Sequence, residues 1–100
     1  MEKQMEGIVR AYVCVSGKVQ GVGFRAFAQM QANNRRLHGW VRNRADGTVE
    51  LEIEGPQASV QAFLQVLHDG PPLSRVLQVT VDWKDPNRQT EGFKIIRTFL

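Results

Sequence analysis

The chain has 100 residues, a net charge of +3, and 42% hydrophobic and 23% charged residues. This length provides for one hydrophobic core, so we expect a single domain over residues 1–100, and the composition is typical of a globular protein rather than a disordered one. No apolar run is long enough to span a membrane, and residues 1–7 predict a flexible N-terminal extension without a secretory signal. One cysteine, Cys14, can form neither an internal disulfide nor a metal site alone, so we expect a reduced, cytoplasmic protein.

The first half of the chain alternates between strand and helix patterns. Residues 8–16 predict a strand, because apolar and polar residues alternate there. A glycine-rich segment follows, and residues 24–36 then have a helical composition. Residues 37–44 and 48–54 predict two strands, and the Asp46-Gly47 pair between them indicates a tight hairpin. The second and third strands should therefore be antiparallel neighbours.

The second half begins with a helix signal at Gly55-Pro56. Apolar residues at helical spacing form one stripe along this helix, which Gly70-Pro71-Pro72 ends. Residues 76–83 predict a strand with one apolar face. The members of that predicted face are Leu77, Val79, Val81 and Trp83. A polar loop at 85–92 leads to a last short strand at 93–98.

The predicted order is β-α-β-β-α-β with one further short strand. Each of the two helices has one apolar face to bury, and the hairpin offers an apolar face to cover them. Both helices should therefore pack on the same side of an antiparallel sheet. This is the α+β, ferredoxin-like split βαβ sandwich.

The glycine-rich segment 17–23 and the arginine after it predict an anion-binding loop. Glycine permits positive φ angles, so successive main-chain N–H groups can converge on a phosphate beside the N-terminus of a helix. Arg25 lies in the first helical turn and can add a bidentate contact. An ordinary strand-to-helix turn with a surface arginine remains an alternative. A dinucleotide site is disfavoured, because the following strand enters a hairpin and the chain is too short for a two-part dinucleotide domain.

Asn43 is the second candidate, because it lies near the end of a strand before a tight turn. A carboxamide there can accept and donate hydrogen bonds and so hold a water molecule in a fixed direction. The alternative is that Asn43 only shapes the turn, as asparagine often does.

Taken together, the two segments resemble the acylphosphatase family. The resemblance rests on GKVQGVGFR at residues 17–25, on GWVRN at 39–43 and on DGTVE at 46–50. Weaker matches at 54–56 and 92–95 extend it over most of the chain, from about residue 8 to 98. The chain departs from the commoner leucine-glycine-leucine ending of the first helix, where it has Asn33-Asn34-Arg35-Arg36. This departure affects the predicted helix boundary and no site residue.

The resemblance implies hydrolysis of the carboxyl-phosphate bond of small acyl phosphates, without a metal or an organic cofactor. It implies that Arg25 binds the phosphate and that Asn43 orients the attacking water. Main-chain N–H groups of the loop would complete the phosphate site. They belong to Gln20, Gly21, Val22, Gly23 and Phe24. We expect a free-standing monomer, since the length fits such an enzyme.

The alternative function is a ferredoxin-like module that binds an anion or a nucleic acid without catalysis. Nucleic-acid binding would require exposed aromatic side chains on the central strands. The third strand instead places Glu50, Glu52 and Glu54 opposite its apolar face, where they would repel a phosphate backbone. We therefore expect no nucleic-acid partner. A heavy-metal carrier of the same fold would need paired cysteines, which the chain lacks.

Overall fold

A computed structural model of the chain describes residues 7–97. Residues 1–6 of the predicted N-terminal extension, and Thr98 at the end of the last predicted strand, lie outside the described residues. The strands are β1 (Ile8–Lys18), β2 (His38–Asn43), β3 (Val49–Pro56), β4 (Arg75–Lys84) and β5 (Phe93–Ile95). The helices are α1 (Phe24–Asn34) and α2 (Gln57–Asp69).

The strands form one sheet in the order β4-β1-β3-β2-β5. The four longer strands pair antiparallel, as predicted, and β2 and β3 form the expected hairpin. Strand β5 pairs parallel with β2, so the sheet is mixed at that edge. The two helices pack on the sheet, which confirms the ferredoxin-like fold. Within residues 7–97, neither helix is long and apolar enough to cross a membrane.

The core lies between the sheet and the helices, where β1, β3 and α2 bury the apolar faces that their periodicity predicts. Val13 and Leu51 are paired across the two central strands and are fully buried. Phe24 of α1 and Phe63 of α2 contribute the largest buried side chains from the helices. The predicted α2 stripe is confirmed. It consists of Val60, Phe63, Leu64 and Leu67, all buried.

Helix α1 ends at Asn34, two residues before the predicted boundary. The Leu37 N–H donates to the Ala32 carbonyl at 2.9 Å, and the Arg36 N–H donates to the Asn33 carbonyl at 3.1 Å. This pair of bonds is the Schellman cap, in which the residue after the cap adopts a left-handed conformation and is usually glycine. Here that residue is Arg36, with φ of 57°.

The predicted apolar face of β4 is wrong at Leu77, which is 71% exposed. The register shifts at this point, because Ser16 pairs with Gln78 while Gly17 pairs with Val76. The unpaired Leu77 is the extra residue of a β-bulge, and it reverses the alternation of faces. Val76 packs against the core instead. Gly17 is required here, because a Cβ on it would lie 2.1 Å from the Arg75 carbonyl oxygen.

The three glutamates of β3 lie on the face opposite its apolar residues, as predicted. Arginine side chains and one tyrosine hydroxyl bond to their carboxylates there. Buried Arg10 pairs with Glu52 and, at 2.9 Å, with Glu54. Tyr12 and Arg42 both donate hydrogen bonds to Glu50. Burial would raise the pKa of the Glu50 carboxyl, but these two donors and the charge of Arg42 outweigh it and lower that pKa. This face is therefore a layer of paired charges.

Candidate active site

The glycine-rich loop between β1 and α1 has the backbone that its sequence predicts. Gly21 and Gly23 have φ angles of 73° and 81°. A Cβ at either position would meet open space, so the backbone conformation, and not crowding, is what favours glycine there. Gly23 is the N-cap of α1, and no side chain of residues 7–97 caps the first turn of that helix. The N–H groups at this helix end therefore remain available to an anion.

Arg25 and Asn43 line one cavity of about 270 Å³ at the end of the sheet. Helix α1 places Arg25 in its first turn, and Asn43 is the last residue of β2. The half-buried Arg25 makes no ion pair or hydrogen bond with any residue between 7 and 97. The described residues that line the cavity are Val19, Gly21, Gly23, Phe24, Arg25, Ala26, Asn43 and Ile95. Two residues that are distant in sequence and predicted to share a site are thus neighbours in space.

The Oδ1 atom of Asn43 is buried and accepts no hydrogen bond within the part of the chain that the structure describes. More than nine in ten buried polar groups in proteins have a partner. An unpaired amide oxygen can accept a hydrogen bond from a small molecule such as water. Asn43 therefore has an acceptor that the described residues do not use.

Two of the predicted phosphate-binding residues, Gln20 and Val22, do not line the cavity. Val22 packs against the core. The Gln20 side-chain amide donates to the carbonyl oxygens of Arg44 and Thr48, at 2.8 and 2.9 Å. These two residues close the hairpin, since the Arg44 N–H also donates to the Thr48 carbonyl. Gln20 thus connects the glycine-rich loop to the turn that follows Asn43, and its main-chain N–H remains a predicted phosphate ligand.

Ile95, which no sequence pattern indicated as a site residue, lines the cavity and is 40% exposed. Parallel pairing with Val41 brings Ile95 beside the end of β2. With Val19, it gives the cavity an apolar wall. In the sequence, Ile95 is only an apolar residue in a very short strand. That pattern does not show whether the side chain lines a cavity or packs in the core.

The hairpin turn beside the cavity is held by Asp46. Its carboxylate accepts hydrogen bonds from the Thr48 hydroxyl at 2.6 Å and from the Thr48 N–H at 3.0 Å. These bonds lower the pKa of Asp46.

Within residues 7–97, no group of three His, Cys, Asp or Glu side chains is arranged as a metal site.

Comparisons with known proteins agree with the motifs. The acylphosphatase family model matches residues 11–95. An acylphosphatase of Thermococcus kodakarensis is 49% identical over 88 residues, which are 88% of this chain and 96% of that protein. The crystal structure of the Bacillus subtilis acylphosphatase superimposes with a TM-score of 0.85 at 41% identity, covering 88% of this chain and 98% of that one. An acylphosphatase structure from Coxiella burnetii gives a TM-score of 0.82 at 33% identity, covering 89% and 93%. The fold, the motifs and these similarities together show that the chain belongs to the acylphosphatase family of hydrolases.

Proposed function

We propose that the 270 Å³ cavity is where this enzyme hydrolyses acyl phosphates. Arg25 and the main-chain N–H groups of residues 20–24 hold the phosphoryl group, and Asn43 orients the attacking water. The observation that carries the proposal is that Arg25 and Asn43 line one cavity, while the Oδ1 atom of Asn43 is buried without a partner among residues 7–97. An arginine beside a helix N-terminus is suited to a phosphate dianion.

The chemistry requires positioning and charge stabilisation more than strong acid–base help. The water oxygen forms a bond to phosphorus while the bond from phosphorus to the carboxyl oxygen breaks, which releases a carboxylate and inorganic phosphate. The carboxylate is a good leaving group, so no protonation of it is needed. Negative charge on the phosphoryl oxygens is stabilised by the guanidinium of Arg25 and by the loop N–H groups.

The cavity lining offers no carboxylate or imidazole as a general base. We propose that a phosphoryl oxygen of the substrate accepts the proton of the attacking water. The pH–rate profile should then follow the ionisation of the substrate. A profile that follows an enzyme side chain, and changes when that side chain is removed, would contradict this step.

The apolar wall formed by Ile95 and Val19 supports a place for the acyl group next to the phosphate site. An acyl group with an apolar body would bury surface against Ile95, which is otherwise partly exposed to solvent. We propose that the acyl group lies against this wall.

The experiment is hydrolysis of benzoyl phosphate with a metal chelator present, for the wild type, Arg25→Ala and Asn43→Ala. We expect Arg25→Ala to lower kcat/KM about a hundredfold or more, equivalent to about 3 kcal/mol of transition-state stabilisation. Asn43→Ala should lower kcat with little change in KM, because it contacts water and not the ground-state substrate.

Arg75→Ala is the matched control, since it removes an exposed arginine of β4 that does not line the cavity. Circular dichroism would show that each variant is folded. Full activity in folded Arg25→Ala or Asn43→Ala would refute the proposed site. A rise in KM with unchanged kcat in Asn43→Ala would refute the role of Asn43.

We further propose that the enzyme acts in the cytoplasm as a monomer, on small acyl phosphates, without metal, cofactor or nucleic acid. Support against a nucleic-acid partner comes from the paired glutamates of β3 and from Tyr12, whose hydroxyl is already bonded to Glu50. Light scattering would test the monomer. Salt-dependent binding of a short RNA would contradict the exclusion of nucleic acid.

A further inference from the structure

A second cavity, of about 310 Å³, lies at the other end of β2. Its lining includes His38, the first residue of β2, whereas the candidate active site includes Asn43, the last. Five residues of extended strand separate the two ends by about 16 Å. The cavity is therefore distinct from the site proposed for catalysis, and the inference drawn from it does not depend on that function.

Two arginines in this cavity have an unusual backbone conformation. Arg36 and Arg88 line it, with φ angles of 57° and 55°. Within residues 7–97, these are the two residues other than glycine with positive φ. A Cβ makes this conformation unfavourable, and glycine would adopt it more readily. Unfavourable backbone of this kind is concentrated at functional sites.

The side chains of the two arginines are unpaired in the described part of the chain. Neither guanidinium has an ion pair or a hydrogen bond with residues 7–97. The carboxylate of Glu54 also lines the cavity, but it is already engaged: it accepts hydrogen bonds from Arg10 Nη1 at 2.9 Å and from the Asn87 and Arg88 N–H groups at 3.0 Å. Glu91 is the remaining acidic residue of the lining. The lining thus holds two glutamates beside two arginines whose side chains have no partner among residues 7–97.

His38 adds a hydrogen-bond donor. Its Nδ1 accepts a hydrogen bond from the Gly92 N–H at 2.8 Å. In the neutral imidazole the proton is then on Nε2, which becomes a donor. The Thr90 hydroxyl can supply a further donor, and Ile8 and Pro56 form an apolar side.

We propose that this cavity is a second anion site, which binds a phosphate dianion through Arg36 and Arg88 with help from His38. Arginine is suited to this ligand, because its planar guanidinium donates two parallel hydrogen bonds to a phosphate. Inorganic phosphate and a small organic phosphate share this chemistry. The organic phosphate would also contact the apolar side at Ile8 and Pro56.

The test uses the full chain carrying Arg25→Ala, which weakens the proposed catalytic phosphate site. Inorganic phosphate and phenyl phosphate are titrated separately while the amide signals are followed by two-dimensional NMR. We expect saturable shifts at His38 and Gly55 with both probes. A lower Kd for phenyl phosphate would identify an organic phosphate as the ligand, and equal Kd values would identify free phosphate.

Adding Arg36→Gly and Arg88→Gly removes both charges and leaves a residue that favours the local backbone, so the fold should persist. We expect these changes to weaken binding at least about tenfold, since each removes a charge-assisted contact. Adding Arg75→Ala and Arg97→Ala instead removes two exposed charges outside this cavity, so it is the control for net charge and should leave the affinity unchanged. Absence of saturable shifts at His38, or equal weakening by this control, would overturn the proposal.

Discussion

The side-chain amide of Gln20 donates a hydrogen bond to the carbonyl oxygen of Arg44, 2.8 Å away and one residue beyond Asn43. A second bond from the same nitrogen reaches Thr48. Gln20 belongs to the loop that ends at Arg25, whereas Asn43 belongs to β2. The two bonds therefore fix the position of the proposed water-binding residue relative to the proposed phosphate loop.

We predict that Gln20→Glu lowers kcat about tenfold, a loss of about 1.4 kcal/mol in transition-state stabilisation. Glutamate has nearly the same shape, but its carboxylate cannot donate to the two carbonyl oxygens and is repelled by them. Inhibition by inorganic phosphate should change much less, because the loop N–H groups remain. Gln61→Glu, on the exposed side of α2, makes the same charge change and should have no effect. An unchanged kcat with a lower melting temperature would show that the bonds serve stability alone.

Arg36→Gly is predicted to stabilise the protein by about 1 kcal/mol, because glycine adopts the left-handed conformation of the α1 cap without a penalty from Cβ. For a domain of this size the melting temperature should rise by roughly 5 °C. Thermal unfolding followed by circular dichroism measures it. Arg35→Gly is the contrasting variant: φ there is −104°, and the Arg35 side chain bonds to Gln31, so it should not stabilise. Equal stabilisation by both would contradict the assignment to the cap.

Stability should fall in acid, and Glu54 should account for part of the loss. Burial alone would raise the pKa of Glu54, but hydrogen bonds from Asn87, Arg10 and Arg88 outweigh it, so the folded-state pKa lies below the usual 4.5. A lowered folded-state pKa adds stability that is fully present above pH 4.5 and is lost as the pH falls through the folded-state value.

Urea unfolding at several pH values would measure this dependence. The loss of unfolding free energy between pH 6 and pH 3 should be smaller in Glu54→Gln than in the wild type. Glu91→Gln, a carboxylate without an ion pair in the described part of the chain, serves as the control. An identical loss in Glu54→Gln and the wild type would refute the assignment.

Tyr12 is the only tyrosine, so its ionisation can be followed by ultraviolet absorbance. Burial, the hydrogen bond to Glu50 and the charge of that carboxylate raise the pKa of Tyr12 from 10.0 to about 12. Glu50→Gln should lower the midpoint, because it removes the negative charge. The raised pKa stabilises the fold below pH 10, and this contribution disappears as the pH rises towards 12. A midpoint near 10 in folded wild-type protein would show that Tyr12 and Glu50 are not bonded.

The sequence was sufficient for the order of the elements and for the pairing of the longer strands. Alternation and helical spacing report which face is buried, and the Asp46-Gly47 turn makes β2 and β3 antiparallel. The positive φ angles of Gly21 and Gly23 could be expected for the same reason, since glycine has a local conformational preference. Local rules were therefore sufficient to predict the glycine-rich loop, the place of Arg25 in the first turn of α1 and the place of Asn43 at the end of β2.

The features that were missed depend on neighbours far along the chain. Leu77 turns outward because of how β4 pairs with Gly17, and the pattern of β4 alone contains no sign of that shift. Ile95 reaches the cavity through a parallel pairing of only three residues. The bonds of Gln20 join positions 24 and 28 residues apart, which no period of a helix or strand reports.

The bulge at Leu77 also bears on the resistance of this protein to aggregation. An exposed sheet edge can recruit a strand from another molecule if it presents an unbroken row of N–H and C=O groups. Strand β4 is one edge of the sheet, and its register shift at Leu77 confines the unbroken row to residues 78–84. The opposite edge, β5, is only three residues long. The bulge and the shortness of β5 therefore limit the length of backbone that either edge offers to a strand of another molecule.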